Sequence, residues 1–206
     1  MQKITFNKNT FNFRDIIEPI FNEKLENLHE EHKVFNLYTD TSSNAHKRFY
    51  GAIHDTDFFK VYKKFIKEMV IIDYNEPMLY QTMPSFRIHF SGNLAVGEYH
   101  KDSTYNHSTE EKNVYLPLTA SKNTATVWVE DAIGSENYYP MNADYGDFFI
   151  WDGANLKHGN EINTTGKSRV SLDFRFIPKR LYKKSNKKSI NAGKLFNIGE
   201  YWTELN

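Results

Sequence analysis

The residues best suited to chemistry fall into two short motifs in the second half of the chain. His100 and Asp102 form a His-x-Asp pair, His158 follows about fifty residues later, and Arg169 and Ser171 form an Arg-x-Ser pair. Two histidines and one carboxylate make the facial triad that holds non-haem Fe(II) and leaves coordination positions open. A planar, always charged guanidinium with a nearby hydroxyl suits a carboxylate ligand. These residues predict a metal centre beside a site for a dicarboxylate.

The His-x-acid pattern alone is weak evidence, because a chain with eight histidines and 26 acidic residues is expected to contain it by chance. The other match, His29 and Glu31, lies in a predicted helix, where residues two apart point to different sides. His100 and Asp102 follow a strand-like run, and residues two apart in an extended segment project to the same side. We therefore assign the ligand pair to His100 and Asp102.

His158 is the best candidate for the third ligand, because it follows a predicted strand and turn. His46 and His54 lie in a polar segment that is expected to be a loop near the N-terminal helices. His107 lies in the loop after the ligand pair and is expected to face the substrate. His89 lies within a predicted strand, where a lone histidine is more often a hydrogen-bonded structural residue.

The last long strand predicted, residues 168–177, carries the Arg-x-Ser pair in an alternating pattern. One face is apolar (Val170, Leu172, Phe174 and Phe176), and the other is polar (Arg169, Ser171, Asp173 and Arg175). Such alternation commonly turns the polar face to solvent, but charges and a hydroxyl also suit a barrel interior that holds an anion. We expect the interior position, with Ser171 about 6.6 Å along the strand from Arg169. Asp173 is expected to neutralise Arg175 or to position Arg87.

Length and composition limit the class of protein. A chain of 206 residues is most simply one domain with a sizeable core, and its balanced charge gives no indication of nucleic-acid or membrane binding. The chain has no cysteine, which excludes disulfides, iron–sulfur clusters and thiolate zinc sites, so any metal must be held by histidine and carboxylate. Residues 1–14 lack the apolar segment of a signal peptide, and no apolar run would span a membrane, so we expect a cytoplasmic protein.

The predicted elements are helical first and then β-rich. Apolar residues recur at helical spacing over 13–31, where Pro19 is expected to begin the helix, and over 56–72, capped by Thr56 or Asp57. Strands are predicted at 78–83, 86–91, 94–99, 113–118, 124–130, 137–141, 147–151, 157–162 and 168–177. This order predicts a mainly β, α+β fold, a sandwich or barrel with the N-terminal helices packed on one sheet.

The single domain is expected to have three parts: helical support over 1–77, a β core over 78–178 and a basic tail over 179–206. The tail has basic residues without an acid between them, followed by an apolar patch of Leu195, Phe196, Ile198, Tyr201 and Trp202. We expect a solvated linker and then a segment that docks on the body. A lid, a dimer contact and an anion-binding surface are the alternatives.

The run from His158 to Arg175 resembles the Fe(II)/2-oxoglutarate-dependent oxygenases, and more narrowly the StrG-like branch of streptomycin biosynthesis. It carries a similar His-Gly-Asn, Asn-x-Thr and Arg-Val-Ser-x-Asp-x-Arg series. Asn113 with residues 117–119 and 126–130 looks like the middle strands of that branch, and residues 193–201 look like its tail. The resemblance covers roughly residues 80–206, whereas the N-terminal helices match no motif.

The resemblance implies a double-stranded β-helix, the jelly roll of the cupins, with His100, Asp102 and His158 as the iron ligands and catalytic centre. It implies that Arg169 and Ser171 hold the distal carboxylate of 2-oxoglutarate, whose keto-acid end chelates the Fe(II) and leaves a position for O2. The implied reaction is hydroxylation of an unactivated C–H bond with release of succinate and CO2. Desaturation, epoxidation and ring closure are alternative outcomes.

The substrate is expected to be a small polar metabolite, such as an amino acid or a sugar derivative. Arg87 and Arg175 would suit a carboxylate, and Glu130 would suit an amine or sugar hydroxyls. Each candidate also fits a position in the rim or the core. The full set of candidate substrate residues is Arg87, Tyr99, His107, Asn113, Trp128, Glu130 and Arg175.

Two rival functions fit parts of the sequence. Arg169 and Arg175 also match the Arg-x5-Arg spacing of AlkB-type nucleic-acid demethylases, although the neutral net charge makes a nucleic-acid partner the less favoured one. A non-catalytic jelly-roll or cupin binding protein would have no need for Arg169 and Ser171 after the second histidine. The oligomeric state stays open, with a dimer through the tail as one arrangement.

Overall fold

The helices lie in the first third of the chain. The structure, a computed structural model, describes residues 1–31, 43–95, 98–190 and 192–205. The helices within these ranges are α1 (Phe13–Ile17), α2 (Leu28–Glu31), α3 (Asn44–Ala52) and α4 (Phe58–Phe65). Short 3-10 turns lie at Glu18–Ile20, Leu25–Asn27 and Ile53–Asp55, and a π-helical turn over Ile66–Val70 extends α4. No helix among the described residues is long and apolar enough to cross a membrane.

The N-terminal helices differ from those expected. The predicted helix over 13–31 is broken, and Pro19 lies in the 3-10 turn after α1 rather than at the start of a helix, because proline lacks the N–H that a continuing helix uses. The prediction of a loop around His46 and His54 is wrong. His46 is buried in α3 and accepts a hydrogen bond from the Ser43 backbone N–H (3.1 Å), and His54 stacks on Phe59.

Among the described residues, ten strands build two antiparallel sheets. They are β1 (Gln2–Thr5), β2 (Met78–Gln81), β3 (Ser85–His89), β4 (Lys112–Pro117), β5 (Trp128–Glu130), β6 (Tyr138–Pro140), β7 (Asp147–Trp151), β8 (His158–Gly159), β9 (Arg169–Pro178) and β10 (Trp202–Leu205). The larger sheet has seven strands in the order β1-β7-β4-β9-β2-β10, with β3 paired to β9 as well, and the smaller has the order β6-β5-β8. Two facing antiparallel sheets with helices on one of them confirm the predicted jelly roll.

Several strand predictions need correction. No strand forms over the described part of 94–99; Val96 and Gly97 lie outside the described residues. The first half of predicted strand 124–130 is a 3-10 turn, Asn123–Ala125, and predicted strand 157–162 is reduced to β8. The sheet also includes β1 and β10, which lie outside the segment 78–178 expected to form the core.

One face of strand β9 packs in the hydrophobic core, and the opposite face carries the candidate site residues. Its apolar residues pack with the helices in one large cluster that includes Phe13, Phe49, Phe58 and Phe65. Its polar face is turned inward and is buried: Arg169 is 1% exposed and Ser171 is not exposed at all. The interior position expected for this polar face is therefore confirmed, and the usual solvent-facing position is excluded.

The C-terminal segment docks on the larger sheet, as expected. Strand β10 pairs with β2, and Trp202 is buried in a cluster with Leu79, Ile177, Phe196 and Tyr201. Trp202→Ala should lower the free energy of unfolding by about 3–5 kcal/mol, the usual cost of removing a buried aromatic side chain. Urea denaturation monitored by circular dichroism measures this loss.

The exposed Ile198 provides the control for Trp202. Ile198→Ala should change the free energy of unfolding by less than about 0.5 kcal/mol. Equal effects from the two substitutions would contradict a docked tail.

Candidate metal centre

His100, Asp102 and His158 meet in space, and this is the one such group of ligand side chains within the described ranges. One ligand atom from each lies within 4.8 Å of the other two. Asp102 Oδ1 is 3.8 Å from His100 Nε2 and 3.7 Å from His158 Nε2. Three ligand atoms on one side of a point leave the other side open, which is the arrangement of a facial triad.

Backbone pairing brings the ligands together. His100 and His158 exchange both backbone hydrogen bonds, each at 2.9 Å, so the two segments are joined although neither is a long strand there. The backbone N–H of Asp102 donates to the Gly153 carbonyl at 3.0 Å. The role expected of an extended strand before His100 is therefore filled by an antiparallel bridge between His100 and His158, which brings the ligand side chains together.

Hydrogen bonds at Nδ1 fix the tautomer of both histidines. His100 Nδ1 lies 2.9 Å from the Glu98 carbonyl oxygen, and His158 Nδ1 lies 3.0 Å from the Leu156 carbonyl oxygen. A carbonyl only accepts, so each Nδ1 must carry the proton and each Nε2 presents its lone pair to the centre. Burial lowers the pKa of His158 to about 4, so its imidazole is neutral at pH 7, the form that binds metals.

Asp102 offers only one of its oxygens to a metal. Its Oδ2 accepts hydrogen bonds from Arg175 Nη2 (2.6 Å), Arg175 Nε (3.1 Å) and Asn113 Nδ2 (2.6 Å). Burial acts to raise the pKa of Asp102, but the charge and hydrogen bonds of Arg175, together with the neighbouring histidines, outweigh burial and hold the pKa well below its usual range. The carboxylate is therefore ionised and held in one orientation, with Oδ1 facing the histidines.

The polar face of β9 continues from the metal ligands into one cavity between the sheets, which Arg169 lines together with all three ligands. Arg169 donates to Ser171 Oγ (3.1 Å) and to the Ala125 carbonyl (3.2 Å), and its guanidinium lies over the Tyr115 ring. The Arg-x-Ser pair is therefore buried on the same side as the triad, as its spacing predicts.

Asp173 follows the second of the two expectations stated for it. Its carboxylate accepts a hydrogen bond from Ser171 Oγ (2.9 Å) and pairs with Arg87 at 3.6 Å. Arg175 pairs with Asp102 instead. Each of these charges inside the barrel therefore has an opposite charge beside it, which offsets part of the cost of removing it from water.

Three candidate substrate residues line the cavity: Arg87, Asn113 and Arg175. Asn113 and Arg175 both hold the carboxylate of Asp102, so their position favours support of a metal ligand over contact with substrate. Arg87 lines the cavity, pairs with Asp173 and remains a candidate for contact with substrate.

The other four candidates lie outside the residues that line this cavity. Tyr99 packs against Tyr138. The His107 side chain is largely buried against Glu111 (2.8 Å) and lines a different cavity, so its expected place on a substrate-facing lip stays a prediction. Glu130 accepts hydrogen bonds from two backbone N–H groups, those of residues 136 and 157. Trp128 lies two residues before Glu130 on β5, on the face opposite that of the interior residue 129.

Sequence reasoning missed two residues that complete the site. Trp151 lines the cavity, and its ring lies edge-on to the His158 imidazole with centroids 4.7 Å apart. Gly153 lies against the Asn113 amide, where any side chain would collide. Only their place just before His158, in the run Trp151-Asp152-Gly153, could have pointed to them.

The sequence has a curated relative that matches almost its whole length. The streptomycin biosynthesis protein StrG of Streptomyces griseus is 34% identical over 189 residues, which cover 91% of this chain and 90% of StrG. The chain belongs to the StrG family. The match with StrG includes most of the N-terminal region, where the sequence offers no motif. No family model matches the chain.

Solved structures share the fold at low identity. The non-haem α-ketoglutarate-dependent carbocyclase SnoK of nogalamycin biosynthesis aligns with a TM-score of 0.59 and 10% identity, over 98% of this chain and 90% of SnoK. HygX of Streptomyces hygroscopicus, solved with nickel and 2-oxoglutarate, aligns with a TM-score of 0.53 and 12% identity, over 97% of this chain and 90% of HygX. The StrG homologue therefore has a jelly-roll fold that it shares with SnoK and HygX.

Gly153 makes the support of Asp102 testable. A β-carbon at position 153 would lie 2.6 Å from Asn113 Nδ2, the atom that donates to Asp102. Gly153→Ala should displace the amide and weaken divalent metal binding about ten- to hundred-fold, the usual effect of disturbing a residue behind a metal ligand. Calorimetric titration of the metal-free protein with Mn(II) or Co(II) measures the affinity.

Gly51 gives a matched control, since its β-carbon would meet no atom within 4 Å. Gly51→Ala should leave metal affinity unchanged. In an Asn113→Ala background, Gly153→Ala should cause no further loss, because the colliding amide is absent. A further loss there, or normal affinity in Gly153→Ala alone, would contradict the role of Asn113.

Proposed function

We propose that this StrG homologue is a non-haem Fe(II)- and 2-oxoglutarate-dependent oxygenase that hydroxylates an unactivated C–H bond of a small polar metabolite. The observation that carries the proposal is the convergence of His100 Nε2, His158 Nε2 and Asp102 Oδ1 in the cavity that also contains buried Arg169. His100, Asp102 and His158 are the proposed iron ligands, and Arg169 and Ser171 the proposed 2-oxoglutarate site.

The donor set fits Fe(II). Two imidazoles that present Nε2 and one carboxylate that presents a single oxygen are the ligands of non-haem Fe(II) oxygenases. Arg175 and Asn113 occupy the second oxygen of Asp102 and so favour one bond to the metal rather than two. Open positions then remain for a co-substrate and for O2.

The environment of Arg169 fits a dianionic co-substrate. Arg169 is 1% exposed, and its two hydrogen-bond acceptors, a hydroxyl and a backbone carbonyl, are neutral. Within the described ranges no carboxylate forms an ion pair with it, and a buried cation without an anion is costly. The distal carboxylate of 2-oxoglutarate would supply that negative charge in the bidentate geometry that arginine favours.

Bound Fe(II) and 2-oxoglutarate would supply an oxidant able to take hydrogen from an unactivated C–H bond, with succinate and CO2 as co-products. The chain would hold the metal on one face, fix the co-substrate at Arg169 and orient the substrate carbon toward the open side. Apolar side chains in the cavity wall, Val127 and Trp151 among them, would keep bulk water from the reacting atoms.

Arg169→Gln should separate co-substrate binding from metal binding. Loss of a charged, bidentate contact costs about 1.5–3 kcal/mol, so the Kd for 2-oxoglutarate should rise about ten- to hundred-fold while metal affinity stays the same. The measurement is an anaerobic titration that follows the weak visible absorption band of the iron–keto-acid chelate.

Two variants control the Arg169 experiment. Lys167→Ala changes an exposed neighbour and should behave as the wild type. His100→Ala should abolish the chelate band altogether. A normal 2-oxoglutarate affinity in Arg169→Gln would favour the rival binding-protein function.

A screen for succinate release tests the reaction and the substrate class. Amino acids, sugars, amino sugars and nucleosides should be added to the iron-loaded protein with 2-oxoglutarate and O2. One of the small polar metabolites should stimulate succinate release above the uncoupled background, and this stimulation should vanish in His100→Ala. Stimulation by nucleosides or oligonucleotides alone would favour the demethylase alternative.

A further inference from the structure

Two buried polar atoms without hydrogen-bond partners belong to paired residues of strands β4 and β7 near the proposed metal ligands, within the described residues. Asn113 and Trp151 are cross-strand partners, each is 7% exposed, and both line the cavity that contains the triad. Within the part of the chain that the structure describes, Asn113 Oδ1 and Trp151 Nε1 have no hydrogen-bond partner. Buried polar atoms are rarely left without one, so such a pair in a cavity indicates a ligand group that completes it.

The hydrogen-bonding role of each atom is fixed by chemistry. Asn113 Nδ2 donates to Asp102 Oδ2 at 2.6 Å, and because a carboxylate only accepts, the amide cannot be turned the other way. Asn113 Oδ1 is therefore an acceptor. The indole N–H of Trp151 is a donor and nothing else. The pair thus presents one donor and one acceptor.

Only some ligand groups satisfy both atoms at once. A hydroxyl donates one hydrogen bond and accepts others, so a single hydroxyl completes the pair. A carboxylate only accepts and would oppose Asn113 Oδ1, whereas an ammonium group only donates and would leave the indole without an acceptor. The pair therefore selects against both charged groups of a simple amino acid.

The same two side chains touch the proposed metal ligands. The Trp151 ring lies edge-on to His158 with centroids 4.7 Å apart, and Asn113 is bonded to Asp102. The side chains expected to bind a carboxylate have other partners, since Arg175 pairs with Asp102 and Arg87 with Asp173. A group held by Asn113 and Trp151 would consequently lie beside the metal.

We propose that Asn113 and Trp151 form a subsite for a hydroxyl group of the substrate, which is then a sugar or another polyol rather than a simple amino acid. This rests on the proposed function. An ordered water has the same hydrogen-bonding chemistry and is the other source of such a group. The test must therefore distinguish a polyol from water.

The experiment follows the Trp151 indole N–H directly. Protein labelled with 15N-tryptophan contains three indole signals, and Trp151→Phe assigns one of them. The protein is loaded with Zn(II), a redox-inert substitute for Fe(II), and with 2-oxoglutarate. D-glucose and myo-inositol are the probes, with their per-O-methyl ethers and L-alanine as matched compounds that cannot donate a hydroxyl hydrogen bond.

The Trp151 signal should shift with the free polyols, and the affinity for the ethers should be at least about tenfold lower. Trp151→Phe should weaken polyol binding about tenfold more than it weakens binding of Zn(II) or 2-oxoglutarate, because phenylalanine keeps an aromatic ring beside His158 but removes the indole N–H. Trp128→Phe is the matched control, because its indole N–H is also buried without a partner but lies outside the cavity lining. It should bind the polyols as the wild type does.

Three results would overturn the hydroxyl subsite. One is a Trp151 signal that no polyol moves, and another is an equal response to polyols, ethers and alanine. The third is a water–indole exchange signal that persists unchanged at saturating polyol, which would assign the pair to a bound water alone. Failure of the proposed function gives a different result, because the wild type would then form no iron–2-oxoglutarate chelate band.

Discussion

The buried ion pair between Asp102 and Arg175 is the interaction on which the site depends. It helps to keep the carboxylate ionised where burial would favour the neutral acid, and it leaves Oδ1 facing the two histidines. Arg175 in turn donates to the Tyr201 hydroxyl, which donates to Gln81 Oε1. Through this chain of hydrogen bonds the metal ligand is connected to β9, to β2 and to the docked C-terminal segment. Removing one member would leave another polar group buried without a partner, the costly case for such networks.

The alternation of β9 explains how one strand serves both stability and chemistry. Its apolar face belongs to the core beneath the helices, while its polar face holds Arg169, Ser171 and Arg175 inside the barrel. A shift of one residue in the pairing of β9 with β4 would exchange the two faces. The register that buries the core is therefore also the register that delivers the charged side chains to the cavity.

The sequence predicts the parts of the site whose geometry is local. Residues two apart on an extended segment share a side, so the His100–Asp102 and Arg169–Ser171 pairs were predictable from spacing. The short alternating strands predicted a sandwich or barrel, and the family resemblance narrowed this to a jelly roll. The partners of Asp102 were not, because Arg175 is 73 residues away and its choice between Asp102 and Asp173 depends on packing. Glu130 shows the same limit, since no local pattern reveals its hydrogen bonds with the backbone N–H groups of residues 136 and 157.

The backbone bridge between His100 and His158 also has a consequence for the order in which the chain folds. The contacts that bring His158 to His100 and Arg175 to Asp102 join segments far apart in the chain, and such contacts form late because closing long loops is entropically costly. A partly folded chain therefore presents scattered histidines and carboxylates rather than an assembled chelating centre. The three ligand side chains thus come together only once the sheets have closed around them.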